Sequence, residues 1–231
     1  MPPYNSLVPT DEGSPTHAGC VATAVAQIMY YWGHDYTYDG YTFDWDLMRQ
    51  HISYKYGEKC EQAYAMIAEL FLKLGLEENL EMTYGKDSSH ASDYNVPRTF
   101  ENFGYTSGGD IESYDFDDLY NAVLAGPVYV SGWTTSVTFG KGHAWVVDEV
   151  LTRRRIRYTH VEGVGITQQD TQYQHLVHCN FGWSGTSNGY YYSGTFAIRN
   201  PVIQDPNTTI RPEDYNYQYR KLMNTSIYNI E

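Results

Sequence analysis

The sequence is short of cysteine, of positive charge and of long apolar runs, and each shortage excludes something. Three cysteines, Cys20, Cys60 and Cys179, cannot all pair within the chain, which disfavours a disulfide scaffold and leaves at least one thiol for chemistry. Basic residues number 15 against 28 acidic ones, a net charge of −13. Such a surface repels nucleic-acid backbones and anionic membranes. The one basic cluster, Arg153, Arg154, Arg155 and Arg157, is short and reads as the wet face of a hairpin. No run of 18 apolar residues exists, so no membrane span is expected. The opening Met1-Pro2-Pro3-Tyr4-Asn5 has neither the basic nor the apolar region of a signal peptide. The expectation is a cytosolic protein, or a mature or trimmed form of a longer one. No G-x-S-x-G elbow and no C-x-x-C pair occurs. His175 and His178 with Cys179 offer metal-type ligands, but 175 and 178 face opposite sides of a strand. No metal and no cofactor are expected.

Aromatic residues are plentiful instead, with 24 Tyr, 8 Phe and 5 Trp in 231 residues. A disordered chain has few. The length fits one domain of two lobes or two small domains. Residues 1–18 read as irregular. Cys20 to Trp32 reads as a helix with apolar residues all round it, hence central and buried. Residues 33–46 read as a loop. A second helix is predicted over 61–74, where Ala63, Met66, Ile67, Leu70, Phe71 and Leu74 share one face and Gly75 supplies the stop. A polar loop over 84–95 precedes a short helix near 96–103 with Pro97 in its first turn. A further helix is predicted near 116–125. Strands follow over 127–133, 142–150, 153–159, 173–181 and 189–198, with a turn signal from Ser184 to Gly189. This order predicts an α+β fold: residues 1–115 mainly helical, residues 116–231 antiparallel sheet, together one domain.

Cys20 follows Gly19 and opens the buried helix. A helix start carries partial positive charge and unpaired N–H groups, and both favour the reactive thiolate. Gly19 leaves room for a substrate backbone. An unpaired cysteine is equally a small core hydrophobe, so a partner decides the matter. His143 stands at the mouth of a predicted buried strand and supplies the base or cation that such a thiol needs. The two lie in opposite halves and are expected to meet across a cleft, with Cys60 and Cys179 remote. Asn180 lies on the same strand face as His178, with Cys179 and Phe181 on the other. Its amide is placed to orient an imidazole as the third member of a triad.

These segments resemble a known family. The run Gly19-Cys20-Val21-Ala22-Thr23-Ala24-Val25-Ala26-Gln27-Ile28-Met29 resembles the catalytic helix of streptopain-like (C10 family) cysteine peptidases. Gly142-His143-Ala144-Trp145-Val146-Val147-Asp148 looks like their histidine strand, and Asn180-Phe181-Gly182-Trp183-Ser184-Gly185 resembles their N-W-G-W-G-G segment. Glu101-Asn102-Phe103-Gly104-Tyr105 and the terminal Ile227-Tyr228-Asn229-Ile230 also fit, and the Tyr-rich tail looks like members from Bacteroides-type bacteria. The resemblance implies a papain-like two-lobed fold and a secreted or envelope-associated endopeptidase acting on proteins or peptides. It implies Cys20 as nucleophile, His143 as base and acid in a thiolate–imidazolium pair, and Asn180 as the residue steering the imidazole. Phe181 and Trp183 would form the aromatic cover. Gly142, Ser89 and Val137 match substrate-side positions, Val137 lining an apolar pocket.

Phe181 stands where the family usually has Trp, which keeps the apolar cover but loses the indole N–H. The family's oxyanion-hole Gln lies just upstream of a Pro-Tyr-Asn segment. Here Pro3-Tyr4-Asn5 opens the chain and no Gln precedes Cys20, so the chain begins past that residue or lacks it. The expected identity is a trimmed form of a secreted precursor with an inhibitory prodomain. Two other readings compete: a catalytically weakened peptidase-fold protein that binds peptides or glycans, and a Cys–His enzyme of the bacteriocin-processing type, which is normally fused to a transporter.

Overall fold

A computed structural model describes residues 3–51, 57–106, 110–133, 142–198, 200–206, 218–220 and 226–228. A 3₁₀ turn, Pro3–Asn5, precedes the first helix, α1 (Cys20–Trp32). Its buried side chains include Val21, Ala22, Ala24, Val25, Ala26, Ile28 and Met29. The alanines let neighbouring elements approach on several sides, so the helix sits inside the fold as its all-round apolar pattern requires. Gly33 closes it in the left-handed region, its N–H bonded to the Met29 carbonyl at 2.8 Å.

The segment expected to be a loop holds two short strands, β1 (Thr37–Tyr38) and β2 (Tyr41–Thr42), and runs into α2 (Trp45–His51). The start of α2 is fixed by Asp44, whose carboxylate accepts from the Leu47 N–H at 2.8 Å. Helix α3 (Glu58–Leu74) starts three residues earlier than predicted, its first turn adding the exposed Glu58 and Lys59 and the buried Cys60. A second 3₁₀ turn (Asp93–Asn95) leads into α4 (Val96–Asn102), with Pro97 in its first turn. Helix α5 (Phe116–Ala125) is capped by Asp115, which accepts from the Asp117 N–H.

The remaining strands are β3 (Glu112–Ser113), β4 (Val128–Trp133), β5 (Gly142–Val161), β6 (Gly165–Asn180), β7 (Gly189–Tyr192), β8 (Thr195–Ala197), β9 (Ile203–Gln204), β10 (Gln218–Arg220) and β11 (Ser226–Tyr228). They form one antiparallel sheet in the order β10-β8-β7-β6-β5-β4-β11-β3, with β9 on β7. The sequence divided β5 into two strands. It is continuous through Arg153–Arg157, and its pairing with β6 reaches Val161↔Gly165. From Arg153 outward both strands are largely exposed on both faces, so the arginines lie on a projecting ribbon.

The sheet positions the site through alternation. Tyr129, Ala144 and Val146 turn to one face and pack with α1, α3 and Phe100. Val128, Val130, Trp145 and Val147 turn to the other and pack with Val177, Cys179, Phe181, Tyr191 and Phe196. Strands β4 and β5 are thus apolar on both faces and sit between two cores. Among the described residues no helix is long and apolar enough to cross a membrane.

Candidate active site

Cys20 is the first residue of α1, and its position depends on Gly19. The Gly19 carbonyl accepts from the Thr23 N–H at 3.1 Å and from the Thr23 hydroxyl at 2.8 Å. Gly19 itself has φ 89° and ψ 158°, a conformation that only glycine adopts without strain. A Cβ here would lie 2.6 Å from the Met82 methyl and 3.0 Å from the Ser89 carbonyl oxygen. The space read from the sequence as room for substrate is therefore occupied by the chain itself. Paired main-chain bonds between Thr83 and His90, at 2.9 and 3.0 Å, pin that loop in place.

Cys20 is partly exposed as a residue, while Cys60 and Cys179 are buried; none forms a disulfide. Burial pushes the Cys20 thiol above its ordinary range. The backbone N–H groups of Ala144, Val21 and Cys20 itself pull it down, and the charge of Asp93 pushes it up again. The helix start acts in the direction expected from sequence, but desolvation outweighs it. The contact with the Ala144 N–H puts the thiol one residue along β5 from His143.

His143 is buried at the start of β5, and its Nε2–H donates to the Phe181 carbonyl at 3.0 Å. This fixes the tautomer and leaves Nδ1 as the basic nitrogen. Burial lowers the imidazole to about 4, and the Phe181 carbonyl works the other way. The ring of Trp183 lies 4.5 Å from the imidazole centroid, with Phe181 at 6.0 Å and Trp145 at 6.3 Å. Phe181 and Trp183 stack on each other at 5.3 Å. Together they form an apolar wall beside the imidazole.

The Asn180 amide oxygen accepts from the Gly182 N–H at 3.1 Å and from Gln27 Nε2 at 3.5 Å. The amide thus shapes the turn and ties it to α1. The atom that holds imidazole Nε2 is the main-chain oxygen of the next residue, Phe181, rather than the side chain expected from sequence. Gly142 is exposed and lies opposite Trp133 in the β4–β5 register. A Cβ on it would touch that indole at 3.2 Å. Ser89 is buried, its hydroxyl accepting from the Gly85 N–H at 3.3 Å. It is its carbonyl that approaches Gly19. Val137 lies outside the described residues. A cavity of about 520 Å³ opens beside the Asn180 turn, lined in part by Tyr4, Thr23, Gln27, Phe71 and Gly182.

Two groups of residues were not singled out from sequence. Asp93 accepts from the Tyr129 hydroxyl and from the Ser131 hydroxyl, each at 2.5 Å. The signal was available: Tyr129 and Ser131 are polar at alternate positions of an otherwise apolar strand. His178 bridges Asp148 through Nδ1 and Asp205 through Nε2, the latter at 2.9 Å. Burial opposes its charge, but the two carboxylates outweigh burial and hold the imidazole at about 9. Nothing local joins His178 to Asp205, so only the fold reveals this group.

Comparison with known proteins follows the same outline. Streptopain from Streptococcus pyogenes serotype M1 is 27% identical over 235 residues, covering 82% of this chain and 51% of the streptopain sequence. The chain therefore spans about half the length of the curated relatives it matches. The active wild-type interpain A cysteine protease of Prevotella intermedia superposes with a TM-score of 0.64 at 20% identity, over 99% of this chain and 89% of interpain A. A prointerpain A fragment from the same organism superposes with a TM-score of 0.59 at 21% identity, over 98% of this chain and 67% of the fragment. At these identities the structures establish the fold, an α+β papain-like arrangement built on an antiparallel sheet. The sequence profile of the Peptidase C10 family matches residues 1–191, and the chain belongs to that family.

Proposed function

We propose that the chain is the peptidase domain of a secreted bacterial cysteine endopeptidase, with Cys20 as nucleophile and His143 as general base and then general acid. The observation that carries this reading is the tautomer of His143. Because Nε2–H is committed to the Phe181 carbonyl, Nδ1 is the atom that takes the thiol proton as Sγ attacks the scissile carbonyl. The S–C bond forms, and the imidazolium then delivers the proton to the leaving amine as the C–N bond breaks. Water hydrolyses the thioester with His143 again as base, which regenerates the thiol. The N–H groups at the start of α1 face the charge that develops on the carbonyl oxygen.

Both partners favour their neutral forms, Cys20 because burial raises it and His143 because burial lowers it. The proton therefore moves during attack, with the imidazolium formed when substrate is in place. Phe181 and Trp183 keep water from the imidazole, and Asn180 holds the turn that presents the Phe181 carbonyl. Gly142, Ser89 and Val137 are assigned to the substrate side. The helical half (1–115) and the sheet half (116–231) act as two lobes of one domain. The solved pro-form of interpain A supports a precursor with an inhibitory prodomain, and secretion follows from the same family reading.

The neutral resting pair also favours a second reading, a weakened peptidase fold that binds peptides without turning them over. Hydrolysis of an unfolded protein substrate separates the two. The endopeptidase reading expects cleavage by the chain, with losses of roughly 10²–10⁴-fold on His143→Ala and of at least that much on Cys20→Ser. Absence of cleavage by the unaltered chain would leave the binding reading.

A further inference from the structure

A carboxylate that the peptidase reaction does not need lies within electrostatic reach of Cys20. Asp93 begins the 3₁₀ turn before α4. Strand β4 sends Val128 and Val130 into one core and presents Tyr129 and Ser131 on the α1 side, where both hydroxyls donate to Asp93 at 2.5 Å. Ser131 pairs with Ala144 across the β4–β5 ladder, and Ala144 is the residue whose N–H faces the Cys20 thiol. Asp93 is therefore separated from the nucleophile by little more than one strand.

Its charge reaches the site. The Asp93 carboxylate opposes ionisation of Cys20 and of Tyr129, in the second case through both its charge and the hydrogen bond that it accepts. A carboxylate that opposes ionisation of the Cys20 thiol works against the reaction. Among the described residues no Lys or Arg pairs with it; its hydroxyl partners are neutral. Asp93 is only partly buried. Each carboxylate oxygen has a second lone pair for a donor. The ligand that completes such a group is an ammonium or a guanidinium, which also cancels the field that disfavours the thiolate.

We propose that Asp93, held by Tyr129 and Ser131, is the specificity determinant of this cleft and selects substrates that place a Lys or Arg side chain next to the scissile bond. The proposal rests on the peptidase reading of Cys20 and His143. The bound cation improves binding and, by neutralising Asp93, also raises turnover.

The test compares peptides carrying lysine or norleucine, which has the same stem without the ammonium, at each of the two positions on either side of the scissile bond. At one position kcat/KM should favour lysine by roughly 10- to 100-fold, the value of a hydrogen bond to a charged group. The ratio should fall as salt rises from low to high concentration. Asp93→Asn should bring the ratio close to one, lowering kcat/KM for the lysine peptide and raising it for the norleucine peptide, and Asp93→Glu should keep a lysine preference. The Asn variant should also alkylate faster at Cys20 at a given pH. A ratio near one at every position in the unaltered chain, or a ratio that Asp93→Asn leaves intact, overturns the proposal. Even where the variants do not fold, a lysine ratio near one in the unaltered chain overturns the proposal. If no peptide is cleaved, the peptidase reading has failed separately. Peptide affinity for a Cys20→Ala chain then tests Asp93: tighter binding of the lysine peptide, lost on adding Asp93→Asn, supports it, and equal binding refutes it.

Discussion

Replacing Gly19 by alanine should cost both stability and activity, in amounts that follow from the geometry. The backbone at φ 89° and ψ 158° costs a residue with a Cβ about 1–3 kcal/mol. The new Cβ would also lie 2.6 Å from the Met82 methyl and 3.0 Å from the Ser89 carbonyl oxygen. The methyl is the end of a flexible side chain and swings away cheaply. The carbonyl belongs to a loop held at both ends by the Thr83–His90 bonds and moves only with that loop. The expected total is about 3 kcal/mol, which for a chain of this size lowers Tm by roughly 6–12 °C. Gly163 provides the control. It has φ 78° with nothing within 4 Å of its added Cβ, so Gly163→Ala should cost only about 1 kcal/mol. Calorimetry of the two variants isolates the contact from the backbone strain. Turnover isolates the site: a displacement of Cys20 by about 1 Å should cost roughly 10² in kcat/KM, and Gly163→Ala should cost none. If Gly19→Ala matches Gly163→Ala in both Tm and kcat/KM, the close approach of Ser89 does not position Cys20.

The remaining expectations concern titration. His178, raised to about 9, contributes stability that is fully present below its ordinary value near 6.5 and is lost as pH rises through about 9; the shift corresponds to about 3 kcal/mol at most. The stability difference between the unaltered chain and His178→Gln, measured by urea denaturation, should therefore shrink between pH 6 and pH 9.5, and a constant difference would refute the Asp148–His178–Asp205 account. His143 has the opposite sign. Held at about 4 by burial, it makes the fold lose stability as pH falls from about 6.5 through 4. Trp183→Ala should let water reach the ring, move its NMR titration midpoint upward and reduce that acid loss. An unmoved midpoint would mean that the indole is not what desolvates it.

The sequence reading succeeded where chemistry is local. Helix α1 was legible because its apolar residues surround it, and α5 because Gly126-Pro127 stops it. Four features were hidden for physical reasons. Helix α2 is short and signalled only by the Asp44 cap. Strands β10 and β11 join the sheet from the far end of the chain, β11 lying between β4 and β3, and no local period encodes such pairing. The burial that opposes ionisation of the Cys20 thiol was hidden because the helix start is visible in sequence whereas that burial is not. The same holds for the main-chain oxygen of Phe181, an acceptor that no side-chain pattern announces.

The central claim is that Cys20 is the nucleophile and His143 the base that activates it. Reaction of the folded chain with an epoxysuccinyl peptide or iodoacetamide, followed by mass-spectrometric mapping of the labelled thiol, tests it directly. The account predicts modification at Cys20 alone, with Cys60 and Cys179 protected by burial, and labelling slowed by roughly 10²-fold or more in His143→Ala. Equal labelling of Cys60 or Cys179 in the folded chain, or a Cys20 rate unchanged by loss of His143, would contradict it.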